Sequence, residues 1–327
     1  MMPPEGTNLK GRLCIRVSVI IPTKYRPMDI AETVRSIFAQ SVLPDELIVV
    51  DQSPDAEIGG RLRAEVQQAA DPERCGRILL HLHDPSISGL SAARNRAIEL
   101  AKGDVWLFLD DDVLLEPGYI ENILDVYRRY PTADGVSGVF TNYPPPPAEF
   151  RAWVRIFLTG PFQDERQPIY WNADRLRDSK PLPVGKFTGA LMSFRADVIG
   201  DLRFDEKVHG PDDADFCARL PRGSVLLVNP AARLFHKRSA NGRSHRHWIE
   251  VDIERATYLF LSNWANGMAN YWRFGWLMAG YCLAAAAAGA KRVSLVPLQG
   301  LLRGILEGAE EARDRNARER SRTVSVV

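Results

Sequence analysis

Three adjacent carboxylates, Asp110, Asp111 and Asp112, directly follow the apolar run 105–109. Like charges this close repel one another unless solvent or a cation relieves them. Mg²⁺ and Mn²⁺ prefer oxygen ligands, and Mg²⁺ commonly takes one or two carboxylates together with phosphate oxygens of a substrate. An isolated acidic triplet in a loop would be a solvated turn; here, behind five residues of buried type, it reads as a metal site that a nucleotide diphosphate would complete. A second acidic cluster, GPDDADFCARL at 210–220, brings Asp212, Asp213 and Asp215 into a predicted short helix. Acidic residues in a first turn complement the helix dipole by about 0.3–1 kcal/mol each, whereas a carboxylate facing a ligand can act as general base toward a hydroxyl. The residue types leave these two readings equal. The strongest local basic patch is His236, Lys237 and Arg238, with Ser239, Asn241, Gly242 and Arg243 behind it. There a histidine could add a metal ligand and the cations could neutralise a departing diphosphate, although such runs are more often charged surface loops. His245 and His247 read as surface residues.

The elements that must position these groups show in the hydrophobic pattern. Residues 17–21, 47–50 and 105–109 are short apolar runs, as expected of parallel strands covered on both faces. Between them, Ile30, Val34, Ile37 and Phe38 mark one face of a helix beginning near Asp29. Further helices are predicted within 58–70, over 90–101 and after Pro117, with strands at 135–140, 186–194, 225–228 and 233–236. Strands alternating with helices imply a doubly wound α/β sheet. In such sheets ligands bind beyond the carboxyl ends of the strands, so Pro22, Thr23, Asp51 and Asp110, each just past an apolar run, could share one crevice. Strand ends also carry such residues as turn formers, and Thr23 taken alone is no more than that.

Elsewhere the sequence is less periodic. Four consecutive prolines at 144–147 open a stretch rich in Trp, Pro and Arg that runs to Pro183. After His245 the pattern is helical and aromatic, with four of the seven tryptophans; residues 274–290 are uncharged, but at seventeen residues they are marginal for a membrane span. The balance of 42 basic and 41 acidic residues offers no field for a nucleic acid. Four scattered cysteines without a CxxC pair suggest neither a zinc knuckle nor a disulfide framework and fit a reducing cytosol. Residues 1–16 read as a loose leader without a signal-peptide core.

These motifs resemble glycosyltransferase family 2, whose members have the GT-A fold, a Rossmann-like, mostly parallel central sheet flanked by helices. VSVIIPTKYRP is similar to the family's first strand and nucleotide loop, LIVVDQS to its second strand, and GLSAARNRAIELAKGDVWLFLDDDV to the long signature ending in its DxD motif. The resemblance implies a GT-A domain over 17–244, with a nucleotide half to about 112 and an acceptor half beyond, followed by a helical region over 245–327. It implies that Pro22, Thr23, Tyr25, Asp51 and Arg94 surround a nucleotide-sugar donor, that Asp110 faces its ribose with Asp111 beside it, and that Asp112 and His236 hold the divalent metal. GPDDADFCARL resembles the family pattern GEDxDLxxRL, which puts Asp213 at the general-base position and Asp212 on the acceptor side, where Glu is usual. The usual Asn-Arg pair of the first loop is replaced here by Lys24, Tyr25 and Arg26.

The activity implied is inverting transfer of a sugar from a nucleotide-diphosphate sugar to a hydroxyl of a glycan or lipid-linked acceptor, in cell-surface polysaccharide or glycolipid assembly. A cytoplasmic enzyme, peripheral at the membrane through its C-terminal helices, fits the Trp and Tyr of that region with its Lys and Arg; packing of the same aromatics within the protein, or on a second subunit, fits them nearly as well. Two rivals remain: an inactive, nucleotide-binding scaffold of the same family, which the intact Asp112 and Asp213 argue against, and a nucleotidyltransferase, whose Gly- and Arg-rich first loop IPTKYRP lacks.

Overall fold

The computed structural model describes residues 15–142, 148–158, 180–208, 212–239, 248–261, 268–292 and 295–324. Residues 1–14 of the leader, the proline run, most of the stretch toward Pro183, Asn241 to Arg243 of the basic patch, and His245 and His247 lie outside the described residues. Along the chain run β1 (Val17–Thr23), α1 (Pro27–Phe38), β2 (Glu46–Asp51), α2 (Glu57–Gln68), α3 (Pro72–Ile78), β3 (Leu79–His83), α4 (Leu90–Leu100), β4 (Val105–Leu109), β5 (Val113–Leu115), α5 (Tyr119–Arg129) and β6 (Gly135–Phe140). Then follow α6 (Ala148–Trp153), which runs into a π-helical turn (Val154–Leu158), β7 (Leu182–Val184), β8 (Leu191–Arg195), α7 (Ala196–Ile199), α8 (Asp212–Ala218), β9 (Leu226–His236), α9 (Trp248–Leu259), α10 (Met268–Arg292) and α11 (Val296–Val324). They fall into two compact units, residues 1–145, 168–207 and 220–241 in the first, and 146–167, 208–219 and 242–327 in the second.

The first unit is one sheet in the order β3-β2-β1-β4-β8-β6-β9-β5, with β7 also on β9. From β3 to β4 every pairing is parallel, and β1 and β4 are buried along their whole length. Helices cover these strands; α1 presents Ile30, Val34, Ile37 and Phe38 to the core, the stripe its spacing predicts. Beyond β4 the sheet is mixed: β8 is antiparallel to β4 and β6, while β9 is parallel to β6 and antiparallel to β5 and β7. That reversal brings β9 back along β5, with Val113 opposite His236.

Two local expectations change, and two elements are new. The two strands expected at 225–228 and 233–236 are one strand, β9, whose register against β6 shifts between Ser137 and Val139. Pro230, which has no N–H to give, lies in that shifted stretch. The strand expected from 186 begins only at Leu191, because Leu191 N–H closes a turn onto Thr188 O. The short α3 and the edge strand β3 have no counterpart in the periodicity: LLHLH alternates over only five residues.

The second unit is helical. On α11, Gly300, Gly304 and Gly308 recur every four residues and lie against the α9 backbone and side chains around Glu250, Glu254 and Thr257; a Cβ on Gly304 would stand 2.5 Å from Glu250 O. Much of the aromatic content serves internal packing. Trp153 Nε1–H donates to Gly280 O at 2.8 Å, Trp276 Nε1–H to Ile156 O at 2.8 Å, and Phe260 stacks on Phe274 with centroids 4.2 Å apart. Tyr271 and Trp272 remain exposed. Among the described residues, no helix is long and apolar enough to cross a membrane.

Candidate active site

In the first unit the carboxyl ends of β1, β2 and β4 come side by side, with Thr23 in register with Asp51. The acidic run leaves β4 between them, and its three members have different surroundings. Asp111 is buried. Its carboxylate accepts from Thr23 Oγ1 and Arg26 Nη1, each at 2.8 Å, and Thr33 Oγ1 lies 2.8 Å from the carbonyls of both Asp111 and Val113. Burial pushes the Asp111 carboxyl up to about 6, with Asp110 adding to the shift and Arg26 and Thr23 pulling against it. The carboxylate that the resemblance assigns beside the nucleotide is thus engaged with the loop after β1.

Asp112 shifts the other way. Burial opposes its ionisation, but the His236 imidazole, the Ser239 N–H at 2.8 Å and Arg26, 3.7 Å away, outweigh burial and hold its carboxyl below the ordinary range. The adjacent strand β9 supplies the histidine, which Asn142 clamps from both sides, accepting from His236 N–H at 3.1 Å and donating to His236 O at 2.7 Å, while Phe140 stacks on the ring. Asp112 Oδ1 is buried 3.1 Å from His236 Nε2 and receives no hydrogen bond. An unsatisfied buried carboxylate oxygen is costly. Asp110, Asp112 and His236 each offer one ligand atom, and the three atoms lie within 4.8 Å of one another. Two carboxylates and one imidazole fit a divalent ion that keeps positions open for substrate oxygens.

Around this group the other expected residues separate by environment. Arg94 on α4 is 1% exposed; its Nη2 donates to Gly189 O at 3.1 Å and reaches Asp110 Oδ1 at 3.4 Å, and the guanidinium lies over the Phe204 ring. Pro22 and Thr23 are buried. Asp51 is fully buried; its carboxylate accepts from Ser53 N–H at 2.9 Å and pairs with His81 Nε2 at 3.2 Å. Burial alone would raise the Asp51 carboxyl, but these partners carry it below its ordinary value. Tyr25 is 57% exposed at a positive φ of 58°, a backbone conformation uncommon outside glycine. Lys237, expected among the diphosphate cations, instead donates to Asp29 at 2.5 Å and Glu32 at 2.8 Å. Thr33, His81, Asn142 and Gly189 escape sequence reasoning; they lie on α1, on β3, just after β6 and in the turn before β8, and no local motif marks them.

Asp212 and Asp213 belong to the second unit, in the first turn of α8. Asp212 is buried, and Asp213 Oδ1 accepts from Ala214 N–H at 2.7 Å. Both the capping and the general-base readings are compatible with a first-turn place.

Comparison with known proteins agrees with the fold and shows the family. Residues 18–199 match the family model described as glycosyl transferase family 2. The glucosyl-dolichyl phosphate glucuronosyltransferase of Haloferax volcanii is 28% identical over 236 residues, 68% of this chain and 69% of that protein. The succinoglycan biosynthesis protein ExoM of Rhizobium meliloti is 27% identical over 336 aligned positions, 97% of this chain and 99% of its own length. Among solved structures, the mannosyltransferase PcManGT from Pyrobaculum calidifontis, in complex with GDP-Man and Mn²⁺, superposes with a TM-score of 0.55 at 20% identity, over 93% of this chain and 87% of that one. With its acidic run at the end of β4, its Rossmann-like strand order and a family match over more than half its length, this chain belongs to glycosyl transferase family 2.

Proposed function

We propose that the protein transfers a sugar from a nucleotide-diphosphate donor to a hydroxyl acceptor with inversion, in the assembly of a polysaccharide or a lipid-linked glycan. The observation that carries this reading is the convergence of Asp110, Asp112 and His236 beside Arg94. Asp213 takes the proton of an acceptor hydroxyl as its oxygen attacks the anomeric carbon, and the nucleoside diphosphate leaves from the opposite face. A divalent cation, Mg²⁺ or Mn²⁺, held by Asp112 and His236 with Asp110, would supply Lewis-acid stabilisation of the negative charge on that leaving group. Thr23, Arg26 and Thr33 fix the loop after β4, so that Asp111 serves as its anchor while Asp110 and Asp112 face the donor. Pro22, Tyr25 and Asp51 line the nucleotide side, and Asp212 supports the acceptor side. The domain proposal is a GT-A domain over 17–244 with a helical region after it; residues 146–167 and 208–219, inside the first of these, group with the helical region as one compact unit.

The relatives support this acceptor class, one being named for a dolichyl-phosphate-linked sugar and one for succinoglycan. A peripheral place on the cytoplasmic face of a membrane suits such acceptors, and the exposed Leu298, Leu302 and Leu306, four residues apart on α11 beside the exposed Arg303, support it. Incubation with UDP- and GDP-sugars and Mn²⁺ tests the transferase reading. Release of nucleoside diphosphate, abolished in Asp213→Asn with nucleotide binding retained, is expected; pyrophosphate release would indicate nucleotidyl transfer, and no turnover with any donor would favour the scaffold. Flotation with anionic liposomes tests the membrane reading, and a chain that stays unbound at low salt would refute it.

A further inference from the structure

We propose that Arg315, near the end of α11, is a positioning residue for Asp213, so that the C-terminal helix is a working part of the catalytic apparatus. The inference rests on the base role proposed above for Asp213. Its starting point is the weakness of α8. Seven residues make two turns, far short of the length at which a helix holds itself, so its place depends on what grips it. The grip centres on Asp215, whose side chain is fully buried. One carboxylate oxygen takes Arg219 of the next turn, at 2.9 Å from Nε and 2.8 Å from Nη2. The other takes Arg315 Nη1 and the hydroxyl of Tyr258 at 3.3 Å, and that hydroxyl in turn accepts from Arg315 Nη1 at 2.7 Å. Arg315 is 3% exposed and Tyr258 is fully buried. Val208, Ala214, Leu259 and Ala312 enclose the network in apolar contact.

One carboxylate therefore ties α8 to both α9 and α11. A buried ion pair is a poor route to stability but a good means of fixing geometry, because charges out of water are tolerated only where the pairing is near ideal. Asp213 lies two residues from Asp215, within the same helical turn, so whatever holds Asp215 sets the height and rotation of the carboxylate that takes the proton. The anchor is 100 residues away in sequence, and Asp215, Arg219, Tyr258 and Arg315 all belong to the second unit, not to the one that carries Asp110, Asp112 and His236. Loss of Arg315 should therefore act on turnover without acting on nucleotide affinity.

The test compares full-length Arg315→Met, Arg315→Lys and Tyr258→Phe with the wild type. Three readouts are taken: hydrogen exchange of the peptide spanning α8, nucleoside diphosphate release with the donor selected by the nucleotide-sugar screen, and calorimetric binding of UDP and GDP with Mn²⁺. In Arg315→Met, exchange in α8 is expected to quicken and kcat to fall at least tenfold, with donor KM and nucleotide Kd unchanged; Arg315→Lys, which keeps the charge, should recover part of both. If Arg315→Met does not fold, the double variant Asp215→Asn with Arg315→Gln, which removes the charge pair together, takes its place. A folded variant with wild-type exchange in α8 overturns the proposal, as does a kcat loss matched by an equal loss of nucleotide binding. An active Asp213→Asn protein would remove the base reading instead, leaving α8 exchange to decide the anchor by itself. An inactive Asp213→Asn beside a fully active Arg315→Met would remove the anchor and leave the base.

Discussion

Gly189→Ala is a small perturbation aimed at the centre of the proposed donor site. Gly189 lies in the turn before β8, and a methyl group there would stand 2.7 Å from Arg94 Nη2, 3.1 Å from Nη1 and 3.2 Å from Cζ. The guanidinium cannot simply swing into solvent, since Arg94 is 1% exposed and lies over Phe204. Overpacking of this kind costs about 1–3 kcal/mol. The backbone of Gly189 is not left-handed, so alanine recovers about 0.4–1 kcal/mol by restricting the unfolded chain, and the net loss is about 1–2 kcal/mol. A displaced Arg94 also gives up its bond to Gly189 O and its 3.4 Å approach to Asp110. One lost charge-assisted contact at the nucleotide side corresponds to about 1.4 kcal/mol, or roughly tenfold in affinity. Urea unfolding measures the first quantity, and calorimetric titration of UDP and GDP with Mn²⁺ measures the second. Gly60→Ala on α2 is the control: a Cβ there meets nothing within 4 Å, and the exposed helical substitution should stabilise by up to about 1 kcal/mol. If Gly189→Ala behaved like Gly60→Ala and bound nucleotide as the wild type does, the absence of a side chain at 189 would not be what seats Arg94, and Arg94 would not serve the donor.

Gly304→Ala should destabilise the second unit by about 1–2 kcal/mol, because the new Cβ meets the α9 backbone at Glu250 O, while Gly275→Ala on α10, with open space around it, should stabilise by up to about 1 kcal/mol; shifts of the same sign in thermal unfolding would refute the close packing of α9 and α11. Asp112→Ala should weaken Mn²⁺ binding, followed by calorimetry, by at least the 10–100-fold that loss of an outer-shell partner of a metal typically causes, and unchanged affinity would count against this ligand. Asp51→Asn should cost about 1–3 kcal/mol at pH 7, since it disturbs a buried carboxylate bonded to Ser53 and His81. Because the folded pKa of Asp51 is depressed, its contribution is complete above the unfolded value near 3.9 and is lost as pH falls through the folded one. The gap between wild type and variant should therefore close below about pH 4, and a gap that widens in acid would refute the assignment.

Much of the first unit was legible in the chain because its elements are local. Strands β1, β2 and β4 are uninterrupted apolar runs, α1 carries its stripe at helical spacing, and Asp110 to Asp112 close a strand that can only be buried. Local pattern failed where a neighbour, not the segment itself, decided the outcome. The edge strand β3 exists because β2 offers it a ladder, and β9 stays continuous past Pro230 because β6 accommodates the shift in register. The aromatic residues after His245 were ambiguous for the same reason: Trp276 is bonded to Ile156 O, while Trp272, four residues earlier, stays exposed.

By itself the sequence indicated the fold class through its periodicity and the family through a resemblance carried by contiguous motifs, because both are properties of neighbouring residues. It could not divide the labour within the acidic motif. Asp111 and Asp112 are adjacent and identical in chemistry, yet one carboxyl is raised and the other lowered. The difference arises only when Thr23 and Arg26 meet the first, and His236 is returned beside the second by a strand that begins more than a hundred residues later. Proton affinity depends on burial and on charges a few ångströms away, and those distances are set by the sheet.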